Sequence, residues 1–180
     1  RSGAPGLADA NGAGHAARMR IGIIGSGSVG TTIAAKLKSL GHEARLSSRT
    51  ASGEKVTFAE AAAFGELLFN CTSGAGSLDA LRAAGDANLD GKVLIDISNP
   101  LDFSKGFPPS LTVSNTDSLG ETIQRAFPKV RVVKALNTVT ASVMAEPASV
   151  ANGDHDLFLC GNDPGAKSTV TELLRTLGWK

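Results

Sequence analysis

From residue 19 onward, short apolar runs alternate with stretches in which apolar residues recur every third or fourth position. Six runs have strand character: MRIGII (19–24), HEARLS (42–47), ELLFN (66–70), KVLIDIS (92–98), VRVVKA (130–135) and DLFLC (156–160). Between them lie helical patterns. Val29, Ile33, Leu37 and Leu40 share one face of a helix ended by Gly41. TFAEAAAF (57–64) reads as a short helix capped by Thr57, and SLDALRAAG (77–85) as one ended by Gly85. Ser118 with Glu121 predicts a capping box ahead of Leu119, Ile123 and Phe127. Asp163-Pro164 opens a last helix whose inner face is Val170, Leu173, Leu174 and Leu177. This alternation predicts an α/β protein, a single domain built on a doubly wound parallel sheet covered on both faces.

The totals narrow that reading. A chain of 180 residues, 42% hydrophobic and 19% charged, suits one soluble domain with a real core. The net charge is +1 with both signs interspersed, which gives no electrostatic case for a nucleic-acid or membrane partner. No apolar run approaches the ~20 residues of a membrane span. Cys71 and Cys160 flank apolar runs and read as buried, reduced thiols of a cytoplasmic protein. Residues 1–18, rich in Gly and Ala without periodicity, read as a disordered leader or cloning remnant, leaving 19–180 as the domain. The last helix stops at Gly178, where a further strand is expected, so the domain reads as lacking its C-terminal extension.

Gly25, Gly27 and Gly30 fit G-x-G-x-x-G between the first strand and the first helix, the Rossmann-type signature. A tight turn, close approach to a pyrophosphate and close helix–strand packing each call for glycine there. Ser26, Ser28 and Val29 complete the turn, and the helix start offers free N–H groups to negative charge. An NAD site would place a carboxylate roughly 20 residues later, at the end of the second strand. Here that position reads Ser47, Ser48, Arg49, Thr50, and no acid follows before Glu54. A carboxylate would repel a 2′-phosphate, whereas the guanidinium and hydroxyls suit it, with Lys55 as a second charge. The expected cofactor is NADP.

Ligands of open parallel sheets bind at the carboxyl ends of the strands. After the third strand, Cys71, Thr72 and Ser73 lie in a small polar loop suited to pass close to a ribose. After the fourth comes a long loop with Asn99, Pro100, Phe103 and Phe107, and after the fifth comes LNTVTAS, with Asn137 and Thr138. Asn70, Ser98, Asn99, Asn137 and Thr138 are neutral groups suited to an amide such as nicotinamide, although turn or cap duty explains any one of them equally. The phenylalanines could roof a flat substrate or pin the loop to the core. No acid/base constellation and no metal-ligand spacing stands out. His15 lies in the leader, His42 follows a helix C-terminus that favours a cation, and His155 sits in a polar turn. No residue is assigned a certain catalytic role, and Asn137 and Thr138 are nicotinamide-positioning candidates.

Taken together, IGIIGSGSVG, SSRT, DISNPL and VVKALNTV resemble the NADP-dependent oxidoreductases related to coenzyme F-420-dependent NADP reductases, over roughly residues 19–180. The resemblance implies phosphate contacts at Ser48 and Arg49, pyrophosphate at Ser26 to Val29, and nicotinamide near Ala135, Leu136, Asn137 and Thr138. It implies hydride transfer between NADPH and a deazaflavin (coenzyme F-420) or flavin-like small-molecule acceptor, and a homodimer is left open. Two departures stand out: the missing C-terminal elements, and aromatic poverty, with no Tyr and Trp179 as the sole Trp. The alternatives are a non-catalytic NADP-binding sensor or interaction module, or the detached cofactor domain of a hydroxyacid or imine reductase. The latter needs a further helical domain with a catalytic lysine.

Overall fold

A computed structural model describes residues 18–180; the leader expectation and His15 fall outside these. The elements run β1 (Arg20–Ile24), α1 (Ser28–Ser39), β2 (Glu43–Ser48), β3 (Val56–Thr57), α2 (Phe58–Phe64) and β4 (Leu67–Asn70). Then follow α3 (Ser77–Ala84), α4 (Asp86–Leu89), β5 (Val93–Asp96), β6 (Leu101–Asp102), β7 (Ser110–Leu111) and α5 (Leu119–Ala126). The chain closes with β8 (Arg131–Lys134), α6 (Ala141–Ala145) and α7 (Pro164–Thr176). Six strands form a parallel sheet in the order β3-β2-β1-β4-β5-β8. The chain leaves β1 for β2 on one side and returns to β4 on the other, so the topological switch point lies between β1 and β4, above the glycine turn.

Every residue of β4 and β5 is buried, as expected of parallel strands covered on both faces. One face carries Ile21, Ile23, Phe69, Ile95 and Val133, covered by Ile33 and Leu37 of α1 and by α6 and α7. The other carries Ile24, Leu68, Leu94 and Val132 under α2, α3, α4 and α5. Helix starts are chemically specified. Thr57 and Glu60 make a reciprocal capping box, and the Asp163 carboxylate accepts from Ala166 N at 2.6 Å, each such cap contributing about 1 kcal/mol.

Three expectations are corrected. The sixth strand of the sheet is β3, two residues long, because DLFLC makes only an isolated antiparallel bridge between Cys160 and Lys134. Its exposed Phe158 shows that this run lacks a second layer to bury it. Ser118 accepts from Glu121 N at 3.2 Å, but the Glu121 carboxylate makes no return bond. Cys71 is buried as expected, whereas Cys160 is exposed at the sheet edge. The long loop after the fourth predicted strand contains the β6–β7 hairpin, and α4 and α6 are too short for periodicity to reveal.

Candidate functional site

The glycine turn is built of two glycines that packing demands and one it does not. Gly25 sits at φ +110°, where a Cβ would lie 2.8 Å from the Cys71 carbonyl. A Cβ on Gly30 would run into the Gly25 carbonyl. Gly27 is exposed, with φ −70°, and a Cβ there meets nothing within 4 Å. No side chain caps α1 and no acid lies in its first turn, so the leading N–H groups remain for an anion.

At the end of β2 the four residues SSRT divide. Ser47 is fully buried and its hydroxyl donates to Ile23 O at 2.7 Å, so the expected cofactor contact through this side chain is corrected: it ties β2 to β1. Ser48 Oγ donates to Thr50 O at 2.6 Å and shapes the turn. Arg49 and Thr50 are exposed, and Arg49 makes no ion pair among the described residues. Lys55 closes a tight turn with Ser52; since Val56 pairs with Ser47, Lys55 lies on the near side of Ser47 and Arg49 beyond it.

At the other end, Asn99 and Asn137 hold each other. Asn99 Nδ2 donates to Asn137 O at 2.8 Å and Asn137 Nδ2 to Asn99 Oδ1 at 3.2 Å. Ala135 and Leu136 are fully buried, backbone included, and lie behind the turn; Leu136 takes φ +63°, and Thr138 is exposed. Gly74 N donates to Asn99 O at 3.1 Å, tying the loop after β4 to the half-buried Pro100 segment. Ser73 is exposed, and Thr72 Oγ1 donates to Asn70 Oδ1 at 2.7 Å. Burial, with Asp96 adding to it, pushes the Cys71 thiol far up, so it stays protonated. Phe103 and Phe107 are exposed on the hairpin, which excludes the core-pinning role.

Register lines up a polar row across the carboxyl end of the sheet. Asn70 pairs with Asp96, Asp96 with Lys134, and Lys134 with Cys160. Asp96 is fully buried. Its Oδ1 accepts from Asn70 Nδ2 at 2.9 Å, Ser98 Oγ at 2.6 Å and Ser98 N at 3.2 Å, and its Oδ2 meets Lys134 Nζ at 2.8 Å. Lys134 Nζ also donates to Ser98 O. Beside the row opens a cleft of about 540 Å³ between α5 and the β8 edge, lined by Asn99, Asn137, Lys134, Leu119, Gln124 and Cys160 among others. Asp117 lines it too, its carboxyl held below the usual range by Arg125 at 2.6 Å.

The two described histidines take structural positions. His42, expected to favour a cation, is buried and pushed below its usual pKa by that burial: desolvation outweighs the helix terminus. His155 bonds Pro147 O at 2.9 Å and stands edge-on to Trp179. Among the described residues no group of three or more His, Cys, Asp or Glu could hold a metal, and no helix is long and apolar enough to cross a membrane.

Comparison with known proteins places this geometry. The family model described as NADP oxidoreductase coenzyme F420-dependent matches residues 20–100. The chain is 48% identical to a protein of Arthrobacter sp. FB24, provisionally assigned as an F420-dependent NADP reductase, whose crystal structure superimposes with a TM-score of 0.85. The match covers 89% of this chain and 81% of that one. The chain belongs to this family of NADP-dependent oxidoreductases. It is also 29% identical over 168 residues to rat metalloreductase STEAP3, covering 89% of this chain and 32% of that protein; it thus spans about a third of that relative's length. A pyrroline carboxylate reductase of Plasmodium falciparum with NADP bound, 14% identical at a TM-score of 0.60 over 90% of this chain and 56% of that one, shares the fold alone.

What sequence reading missed is the Asp96–Lys134 pair. Both residues sat in view, Asp96 within a hydrophobic strand and Lys134 at the end of another. Opposite charges at the last position of two apolar strands, Asp96 in VLID and Lys134 in RVVK, were the signal, since a charge at such a position is almost never buried unpaired.

Proposed function

We propose that residues 19–180 form an NADP-binding domain that transfers a hydride between NADPH and a deazaflavin or flavin-like acceptor. The observation that carries this reading is the end of β2: an exposed guanidinium without an acid partner, beside hydroxyls, where an NAD site would present a carboxylate. In this reading Gly25 to Gly30 cradle the pyrophosphate, with Gly27 leaving the room it needs. Ser48, Arg49, Thr50 and Lys55 surround the 2′-phosphate. The loop Cys71 to Ser73 passes the ribose. The Asn99–Asn137 pair, with Pro100, Ala135, Leu136 and Thr138 around it, orients the carboxamide. NADPH supplies the hydride; the chain's own residues bind, orient and exclude water. The family match and the 48% identical relative support both the nucleotide and the acceptor class.

The test joins a titration to an activity screen. NADPH should bind at least tenfold tighter than NADH, and Arg49→Ala should remove most of that difference while leaving NADH nearly unchanged. A charge-assisted phosphate contact contributes about 1.5–3 kcal/mol, roughly tenfold to hundredfold. Equal calorimetric affinities in the wild type would defeat the NADP assignment. Oxidation of NADPH with coenzyme F-420, FMN, FAD or riboflavin identifies the acceptor; inertness toward all of them, with NADPH bound, would favour a sensing module instead.

A further inference from the structure

The Asp96–Lys134 pair is the one ion pair among the described residues whose carboxylate is fully buried. Burying two charges costs several kcal/mol per ion before their attraction is counted, so stability alone is a weak reason to keep them. Their surroundings give a better one. Asp96 is saturated: Asn70, Ser98 and Lys134 occupy both its oxygens. Lys134 is not. An ammonium has three donors, and two meet Asp96 Oδ2 and Ser98 O. The third has no acceptor among the described residues, and Lys134 lines the cleft that also exposes Asn99 and Asn137. The pair is therefore a fixed dipole with its negative end inside the sheet and its positive end toward the cleft. The other acid in reach, Asp117, is neutralised by Arg125, which leaves Glu121 as the remaining acid on the cleft wall.

Resting on the function proposed above, we propose that Lys134, held in place by Asp96, is a catalytic residue that stabilises the negative charge arriving on the acceptor ring. When the hydride leaves C4 of the dihydronicotinamide, that C–H bond breaks and its electron pair forms the new bond from this hydrogen to the acceptor ring, a C–H bond in a deazaflavin and an N–H bond in a flavin. The nicotinamide is oxidised to its cation. The acceptor, reduced by two electrons with one proton, becomes an anion whose charge gathers on its ring nitrogen and carbonyl until a solvent proton arrives. A preorganised cation is worth most where charge develops rather than where it already exists. The ligand class this selects is a planar ring with a conjugated carbonyl, such as a flavin or deazaflavin, bound by its carbonyl edge against Lys134. Asp96 is a positioning residue, acting through Lys134.

Riboflavin is the probe, because it carries the ring without a phosphate that could bind the ammonium by itself. The paired variant Lys134→Met/Asp96→Asn removes both charges together, so no buried carboxylate is left unpartnered. It should keep NADPH affinity within about twofold while kcat with riboflavin falls roughly hundredfold, the lower end of the range for lost charge-stabilising donors. By anaerobic fluorescence titration at pH 8, affinity for reduced, anionic riboflavin should fall more than affinity for the oxidised form. Lys134→Arg should recover part of the rate. A folded paired variant with wild-type kcat overturns the proposal, as does an equal loss of NADPH, oxidised and reduced riboflavin binding. Should that variant fail to fold, the wild type decides: it must bind reduced riboflavin more tightly than oxidised, and the reverse order overturns the proposal. A wild type active with FMN or coenzyme F-420 and unaffected by the paired variant defeats this proposal alone. A wild type inert toward every acceptor defeats the functional reading and this proposal with it.

Discussion

At the β1–β2 end of the crevice the binding surface is backbone, whereas at the β5–β8 end it is side chains. Gly25, Gly27 and Gly30 lie within six residues of one another, and what they offer is space and N–H groups. Asp96 and Lys134 are brought together by the pairing of β5 with β8, and what they offer is charge. The first kind of surface follows from conformation that a short sequence fixes by itself. The second exists only once the sheet has its register, since a slip of one residue would turn the row from one face to the other.

The comparison breaks most sharply at Gly27. Its φ of −70° suits any residue and a Cβ there meets nothing, so Gly27→Val should fold with an unchanged melting temperature. The branched side chain would fill the space left for the pyrophosphate, and affinity for NADPH and NADH alike should fall at least about hundredfold. A folded variant that still binds NADPH would show that the backbone surface is not the nucleotide site. The equivalent change at Gly30 tests something else, because its Cβ would strike the Gly25 carbonyl and disturb the turn itself.

These two ends also differ in how far they could be read beforehand. The alternation of strands and helices and the caps at Thr57 and Asp163 were legible, because each rests on local spacing or on one side chain bonding a nearby N–H. Arg49 was legible as an absence of acid. Ser47 was misread, since nothing in SSRT says which hydroxyl is buried; strand alternation groups Ser47 with exposed Glu43 and Arg45, yet its hydroxyl is buried on Ile23 O while Ser48 stays half-buried. DLFLC was misread for a related reason. Its apolar residues suit a strand, but a strand needs neighbours, and only Cys160 finds one. The cleft was legible only at its Asn99–Asn137 rim: its other walls come from α5, β8 and the 160–162 segment, which no motif links.

A smaller effect is expected where the side-chain surface meets the cofactor. Asn137→Ala removes the amide that donates to Asn99 Oδ1, though Asn99 keeps its bond to the Asn137 carbonyl. The loop should therefore keep its path while losing one restraint. Hydride transfer needs reacting atoms within about 3–3.5 Å, so a small displacement slows the reaction more than it weakens binding. Steady-state kinetics should show kcat lowered roughly tenfold with NADPH affinity changed less than about threefold, since the carboxamide is one contact among many. Unchanged rate and affinity would move the chemistry away from this turn and leave the side-chain end without a demonstrated role.

The smallest effect serves as the control for both ends, because it lies at the opposite edge of the sheet. His42 follows α1 and precedes β2; its Nδ1 accepts from Met19 N at 3.2 Å, while Nε2 is buried without a partner. Burial lowers its pKa from the usual ~6.5, so the folded state disfavours the proton that the unfolded chain accepts. The stabilisation is present above the unfolded value and is lost as pH falls through the folded one. His42→Asn retains an acceptor for Met19 N and removes the titration. Between about pH 7 and pH 5, urea melts should show this variant losing less stability than the wild type. Its preference for NADPH over NADH should match the wild type's, because neither Gly27 nor Arg49 touches this edge. A shifted nucleotide preference would mean that the two ends of β2 are coupled, and the separation of a backbone-built from a side-chain-built surface would have to give way to a description of β2 as one responsive element.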